Sequence, residues 1–103
     1  YTKQGITKYA KCVHHKQIED ICRLIVDKLK PHGSFNVQLK LKDNKVFIFE
    51  INPRFSTTLV LTMASGVNEI DLAIKNYDKQ EVCYIENFKE TKLIRRWESY
   101  FYE

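Results

Sequence analysis

SFNVQLKLKDNKVFIFEINPRF, residues 34–55, alternates, turns, and then breaks its own pattern. Phe35, Val37, Leu39 and Leu41 fall on one parity, and Asn36, Gln38, Lys40 and Lys42 on the other. That is the period of a strand with one buried face. Asp43, Asn44 and Lys45 interrupt it, and Asn44 tolerates the left-handed backbone that a tight turn requires. Residues 46–51 are almost continuously apolar, as in a strand covered on both faces. Into this run the sequence sets Glu50, then Asn52 and, past Pro53, Arg54. Packing alone calls for none of the three.

A hairpin must place like faces together. A two-residue loop at Asp43 and Asn44 pairs Gln38 with Phe49 and mixes the faces. A three-residue loop over 43–45 pairs Leu39 with Phe49 and Val37 with Ile51, and sets Gln38 opposite Glu50 and Asn36 opposite Asn52. A slip of one residue exchanges core for solvent, so this register is the one predicted. Phe47, Phe49 and Ile51 then share one face, and Val46, Ile48, Glu50 and Asn52 the other.

Directly opposed side chains have Cβ atoms about 5 Å apart. Gln38, Glu50 and Asn52 thus form a patch of one carboxylate and two amide carbonyls. Such oxygens suit Mg²⁺, which is held by one or two carboxylates with phosphate oxygens and water. Arg54, just past the strand end, is placed to fork onto a phosphate. Pro53 holds Asn52 extended and ends the ladder. The plainer alternative is that these polar groups are the solvated side of a sheet. Val46 and Ile48 on the same predicted face count against it.

The rest of the chain frames this hairpin. Residues 6–13 suit a partly exposed strand. Residues 17–30 read as a helix with Ile18, Ile21, Cys22, Ile25 and Leu29 on one face, stopped by Pro31 and Gly33. Thr57 or Thr58 can cap a short helix over 59–65, closed by Gly66, and Asn68 can cap another to about residue 76, with Ile70 and Ile74 inward. In the tail, Leu93, Ile94, Trp97, Tyr100 and Phe101 fit a helix face, whereas their β-branched and aromatic character favours a strand; both readings stay open.

With 103 residues, 44% hydrophobic and 29% charged, the chain is a single α+β domain over 1–103 with a modest core, not a disordered segment. It opens at Tyr1 without a Met and reads as a piece of something longer. No apolar run approaches a membrane span of roughly 20 residues. Seventeen Lys and Arg against 13 Asp and Glu give a net charge of +4, which suits a polyanion such as a nucleotide. Cys12, Cys22 and Cys83 are odd in number and read as reduced thiols of a cytoplasmic protein.

GSFNVQ at 33–38, the hairpin, and FEINPRFS at 49–56 together resemble the second half of an ATP-grasp domain, nearest to the carbamoyl-phosphate synthase large-chain branch. The preceding helix, the Ala64-Ser65-Gly66 helix end and a closing strand over 93–98 fit the same pattern. The resemblance implies an antiparallel sheet packed with helices, forming the C-terminal lobe of that domain. It implies ATP and Mg²⁺ (or Mn²⁺) as cofactors. Glu50 would bridge metal ions on the phosphates, and Gln38, where many relatives carry an acid, would complete the metal site. Asn52 would take the second metal, Asn36 would lie beside the phosphates, and Arg54 would steady the phosphoryl group in flight. The implied chemistry is phosphorylation of a carboxylate by ATP, then attack on the acyl phosphate by a nucleophile. The implied partners are ATP, the carboxylate substrate and an N-terminal lobe of the same enzyme, with no nucleic acid and no membrane; a homo-oligomer stays open. A departure accompanies the match. The glycine-rich phosphate-covering loop and its lysine are missing, since the three glycines are not clustered. The isolated fragment is therefore expected to be inactive.

Two rivals stand beside this reading. A small basic nucleic-acid module predicts massed basic residues with exposed aromatics, whereas here the bases are scattered. A degenerate, non-catalytic remnant predicts loss of Glu50, Asn52 and Arg54, all of which are present. Adjacent His14 and His15 point to opposite faces of an extended segment and read as surface groups, not a shared metal site. Arg95, Arg96 and Trp97 read as a strand with solvated Arg and a core Trp.

Overall fold

A computed structural model of the protein describes residues 1–3 and 5–103. The elements run β1 (Thr2–Lys3), β2 (Ile6–Thr7), β3 (Tyr9–Lys11), α1 (Lys16–Leu29), β4 (Asn36–Lys42), β5 (Lys45–Asn52), α2 (Leu59–Ala64), α3 (Glu69–Tyr77) and β6 (Lys92–Ile94). The class is α+β. Its strands form three antiparallel two-stranded ladders, β1–β2, β3–β6 and β4–β5.

The β4–β5 hairpin reaches the expected end register by a different route. Its turn has two residues, not three: Asp43 and Asn44 both take positive φ, 49° and 56°. Two left-handed residues in succession match the right-handed twist of the flanking strands. The ladder therefore starts as Lys42↔Lys45 and runs to Leu39↔Ile48. A bulge then leaves Phe49 without a partner, and pairing resumes as Gln38↔Glu50, Val37↔Ile51 and Asn36↔Asn52. The expected Leu39–Phe49 pair does not form. The bulge also corrects the faces. Val46 and Ile48 sit with Leu41 and Leu39, while Phe47, opposite Lys40, shares the polar face with Gln38 and Glu50.

α1 begins one residue earlier than predicted and hands over at Lys30, whose φ of 45° and ψ of 55° make a left-handed cap ahead of Pro31. Its inner face holds buried Ile25, with Ile18, Ile21 and Cys22 half-buried, whereas Leu29 is exposed. Burial pushes the Cys22 thiol pKa up. Leu61 of α2 and the adjoining Ser65 are also buried. Asn68 caps α3 as expected, its Oδ1 accepting from the Asp71 N–H at 3.1 Å. Thr58 precedes α2 without a side-chain cap; its hydroxyl pairs with Ser56 Oγ at 2.7 Å instead.

The predicted strand 6–13 breaks at Lys8, and only Tyr9–Lys11 pairs with the tail. That pairing settles the tail as a strand, but over Lys92–Ile94 alone. Three expectations of burial fail. Phe47, Ile48, Phe49 and Ile51 are exposed, so β5 is not covered on both faces. Ile70 and Ile74 are exposed, and Trp97 is 79% exposed rather than in the core. The cause is shared: too few elements lie over these residues. The accessible surface is 8864 Å² for 12.3 kDa, where a folded chain of that mass has about 6,100 Å².

Candidate functional site

The donor patch is built by the end of the β4–β5 ladder. Gln38 faces Glu50 and Asn36 faces Asn52, and the two pairs are separated by one residue on each strand. All four side chains therefore rise from one face of the ladder. Glu50 is exposed and joins no salt bridge among the described residues. Asn52 is half-buried, and its Nδ2 is buried with no hydrogen-bond partner.

Pro53 ends the ladder as its missing N–H requires. The chain then folds sharply, with the Arg54 N–H donating to the Asn52 carbonyl at 2.8 Å. The exposed Arg54 guanidinium donates one bond, Nη1 to the Phe55 carbonyl at 3.0 Å. Its remaining donors are available to an anion.

Arg54, Asn36 and Gln38 line one cleft of about 570 Å³. Thr2, Thr7, Ser56, Thr57 and Thr58 line it as well, beside apolar Val37, Leu39 and Phe49. Glu50 and Asn52 do not line this cleft; they stand across the ladder from the two residues that do. The hydroxyl set was not anticipated. The signal available for it was the Ser56-Thr57-Thr58 run directly after Arg54 and Phe55. Arg95 reads from the sequence as a solvated strand residue. Its Nη2 instead donates to the Thr57 carbonyl at 2.9 Å, fastening that loop to the β3–β6 ladder.

A family model described as ATP-grasp in the biosynthetic pathway with Ter operon matches residues 2–99. The chain belongs to this ATP-grasp family. No solved structure matches it.

ATP-grasp membership asks whether the patch fits a divalent ion. Among the described residues no three His, Cys, Asp or Glu side chains converge. The donor set is instead one carboxylate with amide oxygens, which a hard oxygen-seeking ion accepts. The orphaned Asn52 Nδ2 adds to the fit. No side-chain hydrogen bond among the described residues opposes turning that amide to present its oxygen. The residues fit Mg²⁺ or Mn²⁺.

His14 and His15 lie away from this patch. His14 stacks on Phe88 at 3.8 Å between ring centroids, and His15 occupies the N-cap position of α1. Lys8 Nζ, buried without a hydrogen-bond partner, sits 4.4 Å from the Trp97 ring centroid in a cation–π contact. No helix among the described residues is long and apolar enough to cross a membrane.

Proposed function

We propose that this ATP-grasp chain is the C-terminal lobe of an ATP-dependent carboxylate ligase of the carbamoyl-phosphate synthase-like type. The observation that carries the reading is the ladder end, where Gln38↔Glu50 and Asn36↔Asn52 stand side by side and Arg54 shares a cleft with Asn36 and Gln38.

Glu50, Gln38 and Asn52 would hold Mg²⁺ or Mn²⁺, which would supply charge neutralisation for the ATP phosphates. Asn36 donates its amide N–H to a phosphate oxygen. Arg54, anchored by a single bond to the Phe55 carbonyl, keeps donors for the phosphoryl group as it passes to the substrate carboxylate. The Thr and Ser hydroxyls of the cleft supply neutral hydrogen bonds to the remaining oxygens. Transfer of this kind needs position and charge compensation more than a nucleophile or base. The absence of a general base from the patch accords with that demand. The product is an acyl phosphate, open to attack by an amine or another nucleophile.

An N-terminal lobe of the same enzyme is the partner in this scheme. The exposed apolar and aromatic surface of β5, Phe49 at 66% and Phe47 at 52%, supports a covering element. The test is Glu50→Gln in the enzyme that carries both lobes. Mg-ATP-dependent ADP formation with a carboxylate acceptor is expected to fall by at least about a hundredfold, on the scale of losing a transition-state charge contact. Retained turnover in a folded variant would end the catalytic reading.

A further inference from the structure

The loop over 53–58 leads from the end of β5 into α2, and it carries Arg54 and the Ser56, Thr57 and Thr58 part of the cleft wall. Local bonds hold its two ends. The Arg54 N–H donates to the Asn52 carbonyl at 2.8 Å, and the Leu59 N–H to the Ser56 carbonyl at 3.1 Å. Ser56 Oγ accepts from the Thr58 N–H at 3.1 Å. The Phe55 carbonyl is taken by the Arg54 guanidinium at 3.0 Å. Among the described residues one hydrogen bond reaches this loop from a distant element: Arg95 Nη2 donates to the Thr57 carbonyl at 2.9 Å, across 38 positions of the chain.

The base of Arg95 is fixed as well. Its N–H donates to the Lys8 carbonyl at 2.8 Å, which carries the β3–β6 pairing past Tyr9↔Ile94. Two residues on, the Trp97 ring meets Lys8 Nζ and clasps the same end of that ladder. Arg95 joins no salt bridge among the described residues. Its guanidinium is directed instead at a neutral carbonyl, to which a charged donor makes a stronger bond than a neutral one. Closing the fold does not require this bond, since β6 already pairs through its backbone. It ties the tail ladder to the loop that bears Arg54.

We infer that Arg95 is a positioning residue for phosphoryl transfer, holding the 54–58 loop so that Arg54 keeps a fixed place at the cleft. The inference rests on the ligase reading. Arg95 does not itself line the cleft. It acts through the Thr57 carbonyl and, two residues back, through the Phe55 carbonyl on which the Arg54 guanidinium rests. Without it the loop keeps only its local bonds, and Arg54 moves with the loop. In reactions that depend on placement, a shift of about 1 Å costs on the order of a hundredfold in rate. The loss falls on the transfer step more than on ATP binding, to which Asn36, Gln38 and Glu50 of the ladder also contribute.

The experiment measures ADP formation in the enzyme that carries both lobes. R95M is expected to lower kcat about tenfold or more while KM for ATP stays within about twofold, the pattern of an interaction made in the transition state. R95K keeps a charged donor and should recover part of the loss; R95Q is the second uncharged variant, for use if R95M does not fold. K11M is the control. It removes the Lys11–Glu90 pair from the same β3–β6 ladder and should leave kcat unchanged. Amide exchange at Thr58 and Leu59 should quicken in the uncharged Arg95 variant while residues 37–40 stay protected. Unaltered kcat in that variant, an equal loss in K11M, or unaltered exchange at Thr58 and Leu59 overturns the inference. Glu50→Gln, assayed alongside, separates the two ideas. Retained turnover there ends the ligase reading, whereas an inactive Glu50 variant beside a fully active Arg95 variant ends the positioning role alone.

Discussion

Deletion of Phe49 probes the register on which the donor patch depends. Phe49 is the unpaired residue of the bulge, between Leu39↔Ile48 and Gln38↔Glu50. Removing it turns β5 into a regular partner of β4 with every existing pair retained. The cost can be worked from exposure. A fully covered Phe buries roughly 200 Å², but Phe49 is 66% exposed. About 70 Å² is therefore withheld from water, near 1.7 kcal/mol at about 25 cal/mol per Å². A regular ladder recovers about 0.5–1.5 kcal/mol for a hydrogen bond regained at the former bulge. The net loss should be about 1 kcal/mol or less, read as a small shift of the urea midpoint. Cross-strand NOEs between residues 37 and 51, and between 38 and 50, should persist. Deleting Ile51 is the contrast: it brings Asn52 opposite Val37 and sends the amide to the wrong face. If loss of Phe49 moves the pairing to Gln38↔Ile51, or unfolds the hairpin as loss of Ile51 does, the bulge does not hold the register as described.

Other outcomes follow from single contacts. Asn68→Ala removes the acceptor for the Asp71 N–H and should cost about 1 kcal/mol of stability, measured by urea unfolding. The Glu90 carboxyl is held below its ordinary value of 4.5 by the hydrogen bond from Lys11 and by that ammonium's charge. A depressed carboxylate contributes stability above its unfolded pKa and loses it as pH falls through the lower folded one. Stability should thus decline below about pH 4.5, and Lys11→Met should flatten that part of the acid limb in a pH series of thermal melts. The pair is exposed, so the change is small.

Much of the fold could be read from residue order because local rules governed it. The alternation of β4, the Pro31–Gly33 stop and the Asn68 cap depend on neighbours within a few positions, and each appears in the structure. The hairpin shows where such rules run out. Counting residues with faces matched excluded a two-residue turn, because counting has no room for a bulge. Asp43 and Asn44 prefer the tighter turn, and the ladder takes up the extra residue at Phe49. Burial was the least legible property. Periodicity says which side of β5 or α3 is apolar, but it cannot say what lies over that side, and Phe47, Ile70 and Trp97 remain exposed. The opposition of Gln38 to Glu50 and of Asn36 to Asn52 could be read from the need to match like faces, although the structure reaches it through the bulge at Phe49 and not through the turn. The Thr and Ser wall and the Arg95 tether could not, because Thr2 reaches the cleft from one end of the chain and Arg95 reaches the Thr57 carbonyl from the other.

The most direct measurement is Mn²⁺ titration of the labelled protein, watched at the side-chain amides of Gln38, Asn36 and Asn52. Proximity to one paramagnetic ion should broaden all three at substoichiometric metal, and Glu50→Gln should abolish the effect while backbone signals of β4 and β5 stay in place. Broadening that spares these amides, or that persists unchanged without the Glu50 carboxylate, contradicts a shared cation site at the ladder end.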